Sequence, residues 1–126
     1  MNNENEKTKI AIVGASVDRT KYGNRALRGF LAAGYDVYPI NPSLETVEGV
    51  KCYPTLSSIP IKPDIVSVYT SPSITEKLVA QIAEVHAEEV YFNPGSENEN
   101  VKRLAKDLKV NAIFACSVIA HAFFVD

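Results

Sequence analysis

The stretch Lys9-Ile-Ala-Ile-Val-Gly-Ala-Ser16 decides the fold of this chain. Residues 10–13 have the length and composition of a short buried strand, and the small residues Gly14-Ala15-Ser16 follow at once. A helical pattern begins only after Gly23-Asn24. A strand that runs through a small-residue turn into a helix brings backbone N–H groups and the positive end of the helix dipole to one point, where a phosphate can bind. The stretch therefore predicts a nucleotide site of Rossmann-like type.

The glycine spacing of this turn differs from the dinucleotide-binding fingerprint. Only Gly14 and Gly23 are glycine, and they are too far apart for the Gly-x-Gly-x-x-Gly pattern. Gly14 permits a tight turn and a close approach of the backbone, while Ala15 and Ser16 keep the surface low and Ser16 adds a hydroxyl donor. We therefore expect a nucleotide that is held by something other than the NAD fingerprint.

Composition indicates one ordinary domain. The 126 residues are 46% hydrophobic and 22% charged, and the net charge of −2 argues against a nucleic-acid partner. No apolar run approaches the roughly 18 residues that span a bilayer, so no membrane partner is expected. Residues 1–8 are polar, lack the apolar core of a signal peptide and are expected to be disordered, which leaves residues 9–126 as the domain. Cys52 and Cys116 have no metal-type spacing, so we expect a reduced, cytoplasmic protein without a metal site.

Short apolar strands alternate with helical patterns along the chain. We predict strands at residues 10–13, 35–40, 64–69, 89–92 and 111–115. A helix over residues 24–33 follows the first strand, and capping boxes at Ser73 and Ser96 begin two more. Such strands require a parallel sheet covered on both faces. The prediction is an α/β, Rossmann-like, doubly wound sheet of five strands in the order 3-2-1-4-5. The conformation of the apolar segment after Cys116 is left open.

The loops after these strands meet at the carboxyl edge of such a sheet, where open α/β sheets bind ligands. They are Gly14-Ala15-Ser16, Pro39-Ile40-Asn41-Pro42, Tyr69-Thr70-Ser71-Pro72, Asn93-Pro94-Gly95 and the segment at Cys116. Ordinary turn chemistry explains each loop singly. It explains less easily why the loops together carry so few catalytic side chains, which favours a binding site.

The end of the second strand discriminates between ligands. An NAD-binding unit has Asp or Glu there to hold the ribose hydroxyls, whereas this chain has Asn41. Asn41 can bond a ribose or a base edge, and Pro39 can pack against adenine. Arg19, Lys21 and Arg25 flank the first loop and suit a ligand with several phosphates, one of them on the ribose.

Several motifs, spaced along the chain, resemble a known family. In chain order they are Val13-Gly14-Ala15-Ser16, Lys21-Tyr22-Gly23-Asn24, residues 34–42 (GYDVYPINP), residues 49–53 (GVKCY) and Asn93-Pro94-Gly95-Ser96. On these motifs the chain resembles the small CoA-binding domain proteins, which are related to the nucleotide-binding part of the succinyl-CoA synthetase alpha subunit. The resemblance runs from about residue 10 to residue 116.

The resemblance implies a Rossmann-like fold that binds coenzyme A or acyl-CoA. It implies that the diphosphate lies at Ser16 and the first helix, the adenosine near Asn41-Pro42, and the pantetheine arm beside Thr70-Ser71-Pro72. From the residues and the resemblance together, the expected binding residues are Gly14, Ala15, Ser16, Arg19, Lys21, Tyr22, Asn24, Arg25, Pro39, Asn41, Pro42, Thr70, Ser71, Pro72, Asn93, Pro94 and Gly95.

No catalytic residue is expected in this chain. His86 and His121 lie in apolar contexts typical of capping or packed side chains, and Asp18 fits a solvated loop. Cys116 could form a mixed disulfide with the CoA thiol, although a buried packing role is favoured for it. We therefore expect a CoA-binding protein without catalysis of its own.

Two alternatives to CoA binding stay open. One is an NAD(P)-binding domain of oxidoreductase type, in which Arg19 or Lys21 contacts a 2′-phosphate. The other is an interaction subunit with a vestigial nucleotide pocket. A protein partner or a homodimer is compatible with each of these functions.

Overall fold

A parallel sheet organises the computed structural model, which describes residues 6–125. Within that range the strands are β1 (Lys9–Val13), β2 (Asp36–Ile40), β3 (Thr46–Val47), β4 (Val50–Lys51), β5 (Ile65–Val68), β6 (Glu89–Phe92) and β7 (Ala112–Ile113). The parallel sheet has five strands in the spatial order β2-β1-β5-β6-β7, and β3 and β4 form a separate antiparallel hairpin. Of the segment predicted to be disordered, residues 1–5 lie outside the described residues.

The predicted Rossmann-like α/β class is confirmed, but the predicted strand order 3-2-1-4-5 is wrong. The third predicted strand, β5, lies between β1 and β6, so the order in that numbering is 2-1-3-4-5. All four residues of β5 are buried, as suits a strand with a neighbour on each side. β2 contains Pro39, which has no N–H to donate and is tolerated at the edge of a sheet. Both strand orders bring the ligand edge beside β1.

Helices cover both faces of the sheet, as predicted. Within residues 6–125 they are α1 (Tyr22–Ala32), α2 (Pro72–Glu84), α3 (Glu99–Asp107) and α4 (Ser117–His121). Since successive strand side chains point to opposite faces, β1 contributes to two apolar cores. Ile10 and Ile12 pack with Leu27 and Phe30 of α1 on one face. The core on the other face includes Ala11, Val13, Val66, Val79, Ile82, Val101 and Ala105.

Two helices begin at residues other than the predicted capping boxes. α2 begins with Pro72 in its first turn, where a missing N–H costs no helical hydrogen bond. α3 begins after Asn98, whose side chain accepts the Val101 N–H at 2.8 Å. An Asn cap therefore takes the role that the sequence assigned to Ser96.

The segment after β7 forms α4 and then a stretch of irregular backbone that lies on α1. We call residues 122–125 the C-terminal strap. A Cβ added to Gly29 of α1 would lie 2.5 Å from the Phe123 carbonyl oxygen, so the strap and the helix are in close contact. No helix within residues 6–125 is both long and apolar enough to cross a membrane.

Two leucines of α1 test this account of the core. Leu27 is fully buried, whereas Leu31, one turn further on, is 36% exposed. Leu27→Ala should lower the free energy of unfolding by about 3 kcal/mol, because it removes buried apolar area and leaves a cavity. Leu31→Ala is the matched control and should cost less than about 1 kcal/mol. Urea denaturation measures both, and equal losses would contradict the assignment of the buried face.

Candidate functional site

The turn after β1 brings the ends of three structural elements together. Gly14 has a φ of +87°, and the N–H groups of Gly14 and Ala15 both donate to the Ile40 carbonyl at 3.2 Å. A Cβ on Gly14 would lie 3.0 Å from the Thr70 backbone nitrogen. A Cβ on Gly23 would collide with the Gly14 carbonyl oxygen. Residues 14–21, which we call the first loop, therefore pack directly against β2, β5 and α1.

Short-range hydrogen bonds shape the exposed part of the first loop. The Ser16 hydroxyl accepts the Asp18 N–H at 3.0 Å, and Asp18 Oδ1 accepts both the N–H and the hydroxyl of Thr20. The hydrogen bonds from Thr20 lower the pKa of Asp18, so this carboxylate is ionised at neutral pH. Asp18 thus takes part in the hydrogen bonds that shape the exposed loop.

A buried asparagine connects the first loop to α1 and to the hairpin. Asn24 Nδ2 donates to the Ser16 carbonyl at 2.9 Å and to Glu48 Oε2 at 3.2 Å. Asn24 Oδ1 accepts from Arg28 Nε at 2.8 Å, and Arg28 Nη2 donates to the Arg19 carbonyl at 2.9 Å. The Arg19 side chain itself pairs with Glu48 at 3.5 Å. Arg28 and Glu48 were not predicted as site residues, and no local motif identifies them.

Asn41 fastens the end of β2 to the same loop. Its Nδ2 donates to the Ala15 carbonyl at 2.9 Å, and its Oδ1 accepts the Ser43 N–H at 2.8 Å. Both ends of the amide are therefore in use within the protein. Asn41, which occupies the position of the acid in NAD-binding units, therefore holds the turn after β1 in place.

Two cavities meet at this edge of the sheet. The loop cavity, of about 540 Å³, is lined by predicted residues and by Gly23 and Tyr69; the predicted ones are Gly14, Ala15, Ser16, Lys21, Tyr22, Asn41, Thr70, Ser71, Pro94 and Gly95. The apolar cavity, of about 530 Å³, includes Pro42, Pro54, Ile74 and Leu78 in its lining. Gly14, Asn41 and Thr70 line both cavities. The two therefore join at the Gly14 turn, and each has a volume typical of ligand pockets.

Other predicted residues lie beside the cavities rather than in their lining. They are Arg19, Asn24, Arg25, Pro39, Pro72 and Asn93. The guanidinium of Arg25 stacks over Tyr22 and over Phe124 of the strap, with its Cζ 5.0 Å and 4.7 Å from the ring centroids. Pro39 lies in β2, where its carbonyl accepts the Tyr53 N–H at 2.9 Å.

A buried polar network supports the loops after β5 and β6. Asn93 is 1% exposed, and its Nδ2 donates to the Ser67 hydroxyl at 2.8 Å and to the Val68 carbonyl at 2.9 Å. Its Oδ1 accepts the Ser117 N–H at 2.9 Å. The Ser67 and Ser117 hydroxyls lie 2.7 Å apart. The network therefore fixes the start of α4 to the ligand edge, with the half-buried Cys116 immediately before it.

The opposite, amino edge of the sheet has a different character. His121 Nε2 lies 3.0 Å from the Tyr91 hydroxyl and 3.1 Å from Glu89 Oε1. A cavity of about 670 Å³ at this edge is larger than either cavity at the carboxyl edge, but Glu6, Asp64, Glu88 and Glu89 all line it. These carboxylates outnumber Lys7 in the same lining and disfavour phosphate, so the carboxyl edge is the candidate nucleotide site despite the smaller volumes there.

A glycine turn against a helix N-terminus, joined to an apolar cavity at the carboxyl edge of a doubly wound sheet, is typical of nucleotide-binding domains. The chain belongs to the CoA-binding domain family, whose family model matches residues 8–122. The family predicted from the motifs is thereby confirmed.

Three relatives illustrate the range of this family. An uncharacterized protein of Bacillus subtilis, YneT, is 27% identical over 115 residues, which cover 90% of this chain and 85% of that protein. A solved structure of a conserved hypothetical protein from Pyrococcus furiosus is 30% identical, with a TM-score of 0.82 over 90% of this chain and 98% of that one. The alpha subunit of an ADP-forming acetate–CoA ligase II from Pyrococcus furiosus is 29% identical over 79% of this chain, which spans 22% of that subunit.

The buried network makes a prediction about stability. Asn93→Ala leaves the Ser117 N–H and the Val68 carbonyl without their side-chain partner and should lower the free energy of unfolding by about 2 kcal/mol. Asn100→Ala is the matched control, since the Asn100 amide bonds only Arg103 on the exposed side of α3. Denaturant titration of both variants checks this, and an unchanged midpoint for Asn93→Ala would contradict it.

Proposed function

We propose that this protein binds coenzyme A or acyl-CoA across the two cavities at the carboxyl edge and has no catalytic groups of its own. The observation that carries the proposal is that the loop cavity, whose lining includes Ser16, Lys21 and Ser71, joins the apolar cavity at the Gly14 turn. CoA has the matching division, with a charged diphosphate between an aromatic base and a long uncharged arm. Membership of the CoA-binding domain family supports the same ligand.

The diphosphate is proposed to bind at the first loop and the N-terminus of α1. Among residues 6–125 the N–H groups of Tyr22 and Gly23 donate to no protein acceptor, because the first bonds of the helix run from Asn24 and Arg25 to the Lys21 carbonyl. Free N–H groups and the helix dipole favour an anion at this point. The Lys21 ammonium, in the lining of the loop cavity, adds a positive charge.

The adenosine is proposed to occupy the apolar cavity, and the pantetheine arm the loop cavity. Pro42, Pro54, Ile74 and Leu78 offer a flat base the apolar walls that it requires. Thr70 lines both cavities, and Ser71 lines the loop cavity. Pro94 and Gly95 belong to the same loop-cavity lining. Thr70 and Ser71 offer hydroxyl groups to the amides of the arm.

The oxidoreductase alternative is less well supported. NAD-binding units hold the ribose hydroxyls with a carboxylate at the end of the second strand. Asn41 occupies that position, and its amide is already bonded to Ala15 and Ser43. Glu48 and Asp18, the nearby acids, are tied to Arg19 and Thr20.

The proposed absence of catalysis rests on the side chains around the cavities. The two histidines lie away from the carboxyl edge: His121 in the amino-edge cavity, His86 at the end of α2. Asp18 is fixed within its loop. The ligase subunit that this chain resembles is several times longer, so ligase activity is not carried over to this chain. Two free cysteines suit a reducing compartment, and we propose a cytoplasmic location.

The placement of the diphosphate can be tested at Gly14. Gly14→Val should weaken CoA binding about tenfold or more, because the added side chain crowds Thr70 and fills the turn that receives the phosphate. Gly34→Val is the matched control: Gly34 has a nearly identical φ of +88°, but an added Cβ meets no atom within 4 Å. Calorimetry on folded proteins measures both affinities. Equal affinities for the two variants would rule out this placement.

The charge around the first loop can be tested with the ligand itself. CoA should bind about tenfold more tightly than dephospho-CoA at low ionic strength, because Lys21 and the neighbouring arginines favour the additional phosphate. The ratio should shrink as salt is added, since Arg19 and Lys21 are exposed and Arg25 is only half-buried. Equal affinities at low salt would show that the cations do not contact the 3′-phosphate. Failure of both ligands to bind would reject CoA binding altogether.

A further inference from the structure

Two arginines of α1 connect the C-terminal strap to the first loop and to Tyr22 beside it. The strap and the loop are distant in sequence. Arg25 and Arg28 lie between them, one helical turn apart. Each arginine contacts the strap on one side. On the other side, Arg25 contacts Tyr22 at the start of α1, and Arg28 contacts the first loop.

The first connection is a stack of side chains. The Phe124 ring lies 4.7 Å from the Arg25 guanidinium carbon, and the same carbon lies 5.0 Å from the Tyr22 ring centroid. The Tyr22 and Phe124 centroids are 5.9 Å apart. Tyr22 is 60% exposed and lines the loop cavity, so it has few other contacts to fix its ring. Arg25 and Phe124 therefore set the orientation of this wall of the cavity.

The second connection is a chain of hydrogen bonds. Arg28 Nη1 donates to the Val125 carbonyl at 3.3 Å, and its Nη2 donates to the Arg19 carbonyl at 2.9 Å. Its Nε bonds Asn24, which in turn donates to the Ser16 carbonyl. One guanidinium thus joins the strap directly to the Arg19 carbonyl and, through Asn24, to the Ser16 carbonyl. The fixed geometry of the guanidinium makes such a three-way contact specific.

Gly29 allows the strap to lie close enough for both connections. The Phe123 carbonyl approaches the helix at the position where any other residue would have a Cβ, at 2.5 Å. A glycine in the interior of a helix costs stability relative to alanine. The close contact with the strap accounts for its presence here.

We propose that the C-terminal strap is a positioning element of the ligand site, acting through Arg25 on Tyr22 and through Arg28 on the first loop. The proposal rests on the CoA-binding function for the identity of the ligand. Docking of the strap holds the loop in its binding geometry, and by linkage a bound ligand must hold the strap on α1. Phe124 and Arg28 are positioning residues and touch no ligand themselves.

Neighbouring phenylalanines of the strap provide the test and its control. Phe124→Ala removes the ring that stacks on Arg25 and should weaken CoA binding about threefold to tenfold. Phe123→Ala removes a ring of the same size that is 58% exposed and should leave the affinity unchanged. Phe124→Tyr keeps the aromatic face and should bind CoA with an affinity close to that of the wild type. Calorimetry at a temperature well below every melting transition separates an effect on binding from a loss of stability.

Hydrogen exchange in the ligand-free protein tests the connection without CoA. Amides of residues 16–21 should exchange faster in Phe124→Ala than in the wild type, and at the wild-type rate in Phe123→Ala. Gly29→Ala should also speed the exchange of residues 16–21, because the added Cβ displaces the strap. Alanine favours a helix over glycine, so this effect would not come from a weakened α1. In the wild type, CoA should slow the exchange of residues 123–125.

The two readouts separate the possible failures. If the wild type binds no CoA, the proposed function fails, and loop exchange still decides whether the strap orders the loop. The strap proposal is overturned if Phe124→Ala binds CoA with the wild-type affinity and its loop amides exchange at the wild-type rate. It is also overturned if Phe123→Ala and Phe124→Ala weaken CoA binding equally. A lower melting temperature with unchanged affinity would mean that the strap only stabilises the fold.

Discussion

The close packing at Gly14 is the constraint on which the rest of the structure depends. Its two neighbours in this packing are the Thr70 backbone after β5 and Gly23 in α1, and each approaches to a distance that a side chain would prevent. Its positive φ turns the chain so that the N–H groups of the turn bond the end of β2. The sheet, the first helix and the loop are thus fixed relative to one another at a single point. The position of the loops at the carboxyl edge therefore depends on the packing at Gly14.

Two kinds of support extend from the turn to more distant parts of the chain. Asn24 and Asn41 secure the loop with side-chain amides whose partners lie within the protein. Asn93 does the same for the loop after β6, deep in the core, and ties it to α4. Each amide satisfies backbone groups that would otherwise lose their hydrogen bonds to water. The carboxyl edge is therefore rigid because its polar residues bond the framework as well as line the cavities.

The sequence predicted the fold class and most of the residues that line the loop cavity, because these follow from local patterns. It predicted few of the residues that line the apolar cavity. A strand, a small turn and a helix can each be predicted from a pattern of neighbouring residues. The strand order was predicted wrongly although Pro39 carried the relevant signal, since proline favours an edge strand. Arg28, Glu48 and Phe124 could not be predicted. Their partners are distant in sequence, as with Arg28 and Val125, which are 97 residues apart, and only the folded chain brings them together.

The acidic amino edge has a consequence for how a ligand arrives. Carboxylates gather there around Asp64 and Glu88, while Lys21 and the arginines of α1 surround the first loop at the other end of the strands. This separation of charge is partial, since Lys7 lines the acidic cavity and Glu48 pairs with Arg19 beside the first loop. A polyanionic ligand of the kind proposed would be disfavoured at the acidic edge and favoured at the first loop, so its encounters would be oriented before any contact forms. Electrostatic steering of this kind raises the association rate without adding to the contacts in the bound state.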